Sequence, residues 1–376
     1  MPRYPHVHPE LAAMEGSLFS KLAHRVAAIQ GERYPLHVGD TWLEPAPGCR
    51  MQDFTVDEHP GMHRYATPHG HPLLLEAIEE RRGVTRDRVL VTAGVTGGLG
   101  AVAGALLSPG DEVLILTPFW PLIAGIVRAA RAVPVQVPFY DRTADVSTLV
   151  EPFVTDRTVA LYVNTPNNPT GKVLAPDVLQ SLADLARSHE LWLWSDEVYE
   201  NYAYTSPHVS PARFAPERTF CAYSFSKAYG MAGNRCGYLV GPSDPACMGP
   251  VRKIATHSFY SAPTASQLAA AQVLRTGDPW LEQTHAAYMA AGNAAADTLG
   301  EPHPEGGTFL FVDVAQNLDE RGLEGFLLDC IDQNLVLAPG SSCGRDYGHY
   351  VRVCFTSAPP DVVDRGITRL ATLLER

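Results

Sequence analysis

From about residue 72 the chain alternates between two hydrophobic periods. PLLLEAIEERRG (72–83) carries its apolar residues at helical spacing, and the short apolar run RVLVT (88–92) follows it. A small-residue helix from Thr96, the strand EVLILT (112–117), a helix over 121–131 and the strand VPVQV (133–137) come next. TVALYVN (158–164) leads through a loop into the helix APDVLQSLADLARSHE, and LWLWSDEVY (191–199) reads as a further strand with its exit. Short Val- and Leu-rich strands separated by helices are the mark of βαβ units that cover both faces of a mostly parallel sheet. The pattern predicts an α/β chain with a doubly wound domain.

Beyond FSKAYG and the strand CGYLVG (236–241) lie two long helical stretches, near 263–275 and 279–299. The tail then changes character: GTFLFVDV, a helix near 322–333, NLVLAP, HYVRVCF and a last helix from about Pro360. This series predicts a smaller α+β domain. We expect an N-terminal segment, residues 1–45, with too little core of its own and packed on that smaller domain. A large domain would run over 46–294 and the small C-terminal one over 295–376.

Charged residues make up 19% of the chain and hydrophobic ones 45%, a globular composition, and the net charge is −12. That charge repels nucleic acid and anionic membranes, so neither is expected as a partner. The first thirty residues hold no apolar stretch with a small-residue cleavage site, and eighteen apolar residues never run together. The expected location is cytoplasmic. Seven scattered cysteines without a C-x-x-C pair suggest buried thiols, neither a disulfide framework nor a zinc site. His59, His63, His69 and His71 are interrupted by Pro and Gly, which argues against a helical metal pair and for no metal.

In open parallel sheets ligands gather at the carboxyl ends of strands. Four loops there carry chemistry. VTAGVTGGLGAV (91–102) is a glycine-rich turn into a helix, whose first N–H groups, around Val95 and Thr96, suit a phosphate; a tightly packed turn is the alternative, and the glycines do not fit G-x-G-x-x-G. NTPNNPTG (164–171) offers Asn168 as an uncharged donor on a proline-fixed path, or is an ordinary turn. In WSDEVYE (194–200) the adjacent Asp196 and Glu197 point to different sides, so one buried carboxylate facing a site would need a positive partner such as a cationic ring nitrogen. In SFSKAYGMAGNR (224–235) Lys227 sits among small hydroxylated residues with Arg235 eight positions on. An amine nucleophile must lose its proton near neutrality, which burial or a neighbouring cation promotes.

Taken together, a lysine for a Schiff base, an aspartate for a pyridinium nitrogen, phosphate donors, and an amide with a phenol are the fittings of pyridoxal 5′-phosphate. NNPTG, SDEVY and SFSK…R, in this order and spacing, make the chain resemble the class I/II aminotransferases of fold type I. The resemblance implies that Lys227 binds the cofactor covalently and moves a proton, and that Asp196 keeps the pyridine nitrogen protonated. Asn168 and Tyr199 would bond the ring oxygen, with Tyr199 counted beside Lys227 and Asp196 in the catalytic set. Ser224, Arg235, Thr96 and the Val95 amide would hold the phosphate, and Trp120 in TPFWP would stack on the ring, where a plain core tryptophan is the alternative. Arg352 in HYVRVCF would grip the substrate α-carboxylate, aided by the Gly39 amide and Asn168. Tyr65 in HRYATPHG would reach the phosphate of a neighbouring subunit, which implies a homodimer with shared sites.

Some positions depart from the family's pattern. Cys343 stands where many members carry a phenylalanine, and His257 where aspartate-specific members have an arginine, which disfavours acidic substrates. His37 and Trp42 flank Gly39 and either shape the side-chain pocket or simply pack. The resemblance implies a transferase acting on an α-amino acid and a 2-oxo acid. A lyase or cyclase working by β- or γ-elimination or replacement on the same fold is the alternative, because pocket residues choose the carbanion's fate. An amino-acid-sensing regulator on this fold would carry an added DNA-binding domain, and because the chain starts the fold almost at once with a net negative charge, that reading is not expected.

Overall fold

The structure is a computed structural model that describes residues 18–142 and 145–375. The first part of the expected N-terminal segment, residues 1–17, lies outside the described residues. The fold is α/β, with one seven-stranded, mostly parallel sheet and one three-stranded antiparallel sheet.

The large sheet is built from β1 (Val89–Thr92), β2 (Glu112–Thr117), β3 (Val133–Pro138), β4 (Thr158–Asn164), β5 (Trp192–Asp196), β6 (Thr219–Ser224) and β7 (Gly237–Val240). Their spatial order is β1-β7-β6-β5-β4-β2-β3, and only β7 runs against its neighbours. Every residue of β1, β2 and β7 is buried, as expected of strands covered on both faces. The cover comes from α2 (Pro72–Arg82), α3 (Gly94–Leu106), α4 (Leu122–Ala129), α5 (Val146–Val150), α6 (Pro176–Ser188), α7 (Met248–Ser258) and α8 (Thr264–Thr276), with α1 (Leu18–Ala27) lying elsewhere.

The long helix α9 (Asp278–Leu299) leads to the small sheet, β8 (Phe309–Asp313), β9 (Ala338–Pro339) and β10 (Tyr350–Cys354) in the order β8-β10-β9, with α10 (Gly322–Asp332) and α11 (Pro360–Leu374). Leu22 and Val26 of α1 join the core of this sheet with Leu310, Val351, Phe355 and Leu370. The chain from Tyr34 to Leu36 is tied to it by hydrogen bonds from Val336 N–H to the Tyr34 carbonyl (3.0 Å) and from Cys354 N–H to the Leu36 carbonyl (2.8 Å).

One predicted strand shortens sharply and one unassigned stretch proves to be a strand. The run NLVLAP yields only a two-residue strand, because Leu335 bridges to Tyr34 and Val336 spends its N–H on the same residue before the chain reaches β10. TFCAYS, unassigned from its mixed pattern, is β6, a central strand between β5 and β7. Among the described residues no helix is long and apolar enough to cross a membrane.

Candidate active site

Four parallel strands end on one edge, at Thr117, Asn164, Asp196 and Ser224. The start of β7 joins them because that strand runs the other way, with Gly237 paired to Ser224. A cavity of about 150 Å³ opens at this edge, lined by Val95, Thr96, Trp120, Asn168, Asp196, Tyr199, Ser224, Lys227 and Arg235. All nine were expected from separate stretches of sequence. Asn164, Val198, Ser226 and Ala232 complete the lining, and the sequence reading assigned them no role.

At the floor, Asp196 is 4% exposed. Its Oδ2 accepts a 2.6 Å hydrogen bond from the Tyr162 hydroxyl, and its Oδ1 a longer one, 3.3 Å, from Val198 N–H. Burial pushes this carboxyl up to about 6, against the pull of those two donors. Glu197 turns the other way, as strand alternation requires, and accepts from His208 Nε2 (2.8 Å) and Ser210 Oγ (2.7 Å). Asn164 ties the ends of β4 and β5 together: its Nδ2 donates to the Asp196 carbonyl at 2.9 Å and its Oδ1 accepts from Asn168 N–H at 2.7 Å. Tyr199 is buried, and burial raises its phenol above the ordinary range.

Lys227 follows β6 by three residues and donates its Nζ to the carbonyl of Gly39. Burial is the largest cause lowering its pKa, with Arg352 and Arg235 adding to it and Asp40 opposing. The amine therefore loses its proton more readily than a solvated lysine.

At the rim, α3 begins with Gly94 at φ +70°, and no side chain caps its first N–H groups. An added Cβ at Gly94 would run into the guanidinium of Arg235, so only glycine leaves that group its place. Ser224 lies beside it, its Oγ accepting from Ser226 N–H at 3.0 Å. Thr96 and Arg235 are both open to solvent.

Arg352, on β10, reaches across from the small sheet. Its two terminal nitrogens donate to Asn168 Oδ1 and to the His37 carbonyl, each at 2.9 Å, and its guanidinium stands 4.4 Å over the Phe309 ring. Among the described residues its buried Nε has no hydrogen-bond partner. An added Cβ at Gly39 would sit 2.7 Å from the same Phe309 ring, so the turn that receives Lys227 lies flat on this aromatic. Burial, then Arg352, lowers His37 to about 4, keeping it neutral. Trp42 packs edge-on to Tyr288 at 4.6 Å.

Gly39 and Arg352 do not line the cavity themselves but are bonded to Lys227 and Asn168, which do, and three further positions also fall outside its lining. Tyr65 is 89% exposed and touches Tyr260, ring to ring, at 5.1 Å. His257 is exposed on α7, its Nδ1 bonded to the Lys253 carbonyl. Cys343 is buried, and its carbonyl accepts from Phe119 N–H, next to Trp120. All seven cysteines are free thiols.

A family model for aminotransferases of class I and II matches residues 43–370. The chain belongs to this family. It is 31% identical over 352 residues to an aspartate/prephenate aminotransferase of Thermus thermophilus, covering 86% of this chain and 89% of that one. A probable aspartate/prephenate aminotransferase of Thermus aquaticus is 38% identical over 240 residues, 59% of this chain and 62% of the relative. The solved structure of an aspartate aminotransferase double mutant from Thermus thermophilus superposes with a TM-score of 0.89 at 27% identity, over 98% of this chain and 100% of that one.

The aminotransferase is thus an amino-group transferase of a family that works with pyridoxal 5′-phosphate. The donor set fits that group: a buried carboxylate for a ring cation, a deprotonable amine for an aldehyde, an aromatic wall, and at the far end unpaired helix N–H groups with hydroxyls and a guanidinium for a phosphate dianion. The glycine at position 94 leaves backbone and Arg235 free to close on such an anion.

Proposed function

We propose that this aminotransferase exchanges an amino group between an α-amino acid and a 2-oxo acid with pyridoxal phosphate held on Lys227. What carries the reading is the convergence on one cavity of a half-buried amine, a buried carboxylate and an uncapped helix start beside an arginine. The bound group would supply an electron sink for the charge left when a substrate Cα–H bond breaks.

The residues would divide the work as follows. Asp196 holds a proton on the ring nitrogen by pairing its negative charge with it. The Lys227 amine anchors the group and, once released, takes the proton from the substrate Cα and returns it on the other side of the exchange. Asn168 and Tyr199 donate to the ring oxygen, and Trp120 covers one ring face. Val95 N–H, Thr96, Ser224 and Arg235 hold the phosphate. Arg352, with its unused Nε and with the Gly39 amide and Asn168 beside it, reads the substrate carboxylate.

The exposed Tyr65 suits a residue that serves the phosphate site of a second copy, which makes the working unit a homodimer. We place the enzyme in the cytoplasm and take 46–294 as the cofactor domain, with 295–376 and the N-terminal segment as the smaller one. The test is a screen of amino donors that follows 2-oxo acid, ammonia and pyridoxamine phosphate together. Oxo acid and pyridoxamine phosphate without ammonia is the expected result. Ammonia with unchanged cofactor would replace this reading with a lyase.

A further inference from the structure

We propose that Tyr162 is a positioning residue whose phenol holds the Asp196 carboxylate in one orientation and in its ionised form, ready for a cationic ring nitrogen. The inference rests on the function proposed above, but it concerns two of the chain's own side chains, which can be examined without cofactor.

Strand register brings the pair together. β4 and β5 run parallel, with Tyr162 opposite Trp194 and Asn164 opposite Asp196, so Tyr162 and Asp196 share a face one step apart along the diagonal. The phenol closes that diagonal with a 2.6 Å bond to Oδ2, and Tyr162 and Asp196 are 1% and 4% exposed. A phenol in the apolar run TVALYVN has a simpler reading, a core aromatic, but its hydroxyl then needs a partner, and it has chosen the carboxylate at the centre of the site.

The other titratable groups that influence Asp196 are Tyr140, Tyr199 and Glu197, and among the described residues none of them donates a hydrogen bond to its carboxylate. The Tyr140 hydroxyl donates to the Asn164 carbonyl at 2.6 Å, and Glu197 is occupied by His208 and Ser210. Among the described residues the other donor to the Asp196 carboxylate is Val198 N–H, at a longer 3.3 Å. A buried carboxylate with so few donors tends to take up a proton and become neutral, and a neutral acid no longer opposes a ring cation. Burial also holds the Tyr162 phenol far above its ordinary range, so its proton stays on the phenol and the bond keeps one direction.

The experiment compares Tyr162→Phe with the parent enzyme, each with and without Asp196→Asn. In the cofactor-free proteins, thermal unfolding is followed from pH 5 to 8, and the parent-minus-Asp196→Asn difference reports the titration of Asp196. Tyr162→Phe is expected to move that inflection upward, since it removes a bond made to the charged form. Equilibrium dialysis of pyridoxal phosphate is expected to show about tenfold weaker binding by Tyr162→Phe at pH 6, as for loss of one bond to a charged group, and a smaller loss at pH 8. In the Asp196→Asn background Tyr162→Phe should change binding by less than about twofold.

An inflection that stays in place, or an equal loss of binding in both backgrounds, would reduce Tyr162 to a packing residue and overturn the proposal. Site-specific 3-fluorotyrosine at 162, almost unchanged in shape but a stronger acid, serves if Tyr162→Phe does not fold; it should move the inflection downward. Failure of the covalent attachment at Lys227 would refute the proposed function and leave the inflection free to be read.

Discussion

At the floor of the cleft Tyr162, Asp196 and Tyr199 are 1%, 4% and 4% exposed, whereas Thr96 and Arg235 at the rim stand in solvent. The floor obtains its electrostatics from desolvation: few groups, Tyr162 and Asp196 joined by a hydrogen bond, with Asp196 and Tyr199 displaced from their ordinary titration ranges. On the proposed function the rim would rely instead on number, with helix N–H groups, hydroxyls and a guanidinium sharing one anion in a screened setting where none is indispensable. The floor should therefore decide whether chemistry occurs, and the rim how tightly the cofactor is kept. Lys227 lies between them, half-buried and under the influence of Arg352 and Arg235.

Removing the amine is the hardest test of that division. Lys227→Ala should lower amino-transfer rate by a thousandfold or more, on the order expected for deleting a nucleophile that also moves the proton, and added cofactor should not restore it. Asp196→Asn comes next, with a loss of about a hundredfold in kcat that excess pyridoxal phosphate leaves unrepaired.

The same substitution sharpens the comparison through pH. Because burial raises Asp196 from its ordinary value to about 6, its protonated form is favoured by folding. The associated stability is present in full below the unfolded value near 4 and is lost as pH rises through about 6, by roughly 3 kcal/mol. Denaturant unfolding of the cofactor-free enzyme should show this loss, and Asp196→Asn should abolish it.

At the rim, Arg235→Ala should weaken cofactor binding by about ten- to a hundredfold, as for one bond to a charged group, while saturating cofactor restores most of the activity. Failure of that rescue would erase the proposed distinction between the two ends. The smallest effect belongs to Gly94→Ala: a residue at φ +70° whose new Cβ meets Arg235 should cost about 1–2 kcal/mol in unfolding and loosen the cofactor modestly.

Much of this organisation was legible before any coordinates. EVLILT and TVALYVN became strands over the expected residues because continuous apolar runs bounded by turn residues have no other stable place in a βαβ series. The site was legible because its chemistry needs unusual residues at strand ends, where lysine, aspartate or paired asparagines stand out from packing. What escaped was ordinary in composition. TFCAYS mixes polar and apolar residues without a clean period, and only its neighbours β5 and β7 bury it. The helix α7, MGPVRKIATHS, buries three side chains and looks solvated from its sequence. Tyr162 resembles a core aromatic until the β4–β5 register brings its hydroxyl to Asp196. Contacts between elements distant in sequence, such as Arg352 with Asn168 or Lys227 with Gly39, leave no local period to read.

The central claim concerns one nitrogen, and it can be examined by loading the enzyme with pyridoxal phosphate, reducing with borohydride, digesting, and weighing the peptides. The account predicts a single stable phosphopyridoxyl adduct on the peptide containing Lys227, absent from Lys227→Ala and diminished when a competing amino acid is present. An adduct on other lysines with that peptide unmodified would contradict it.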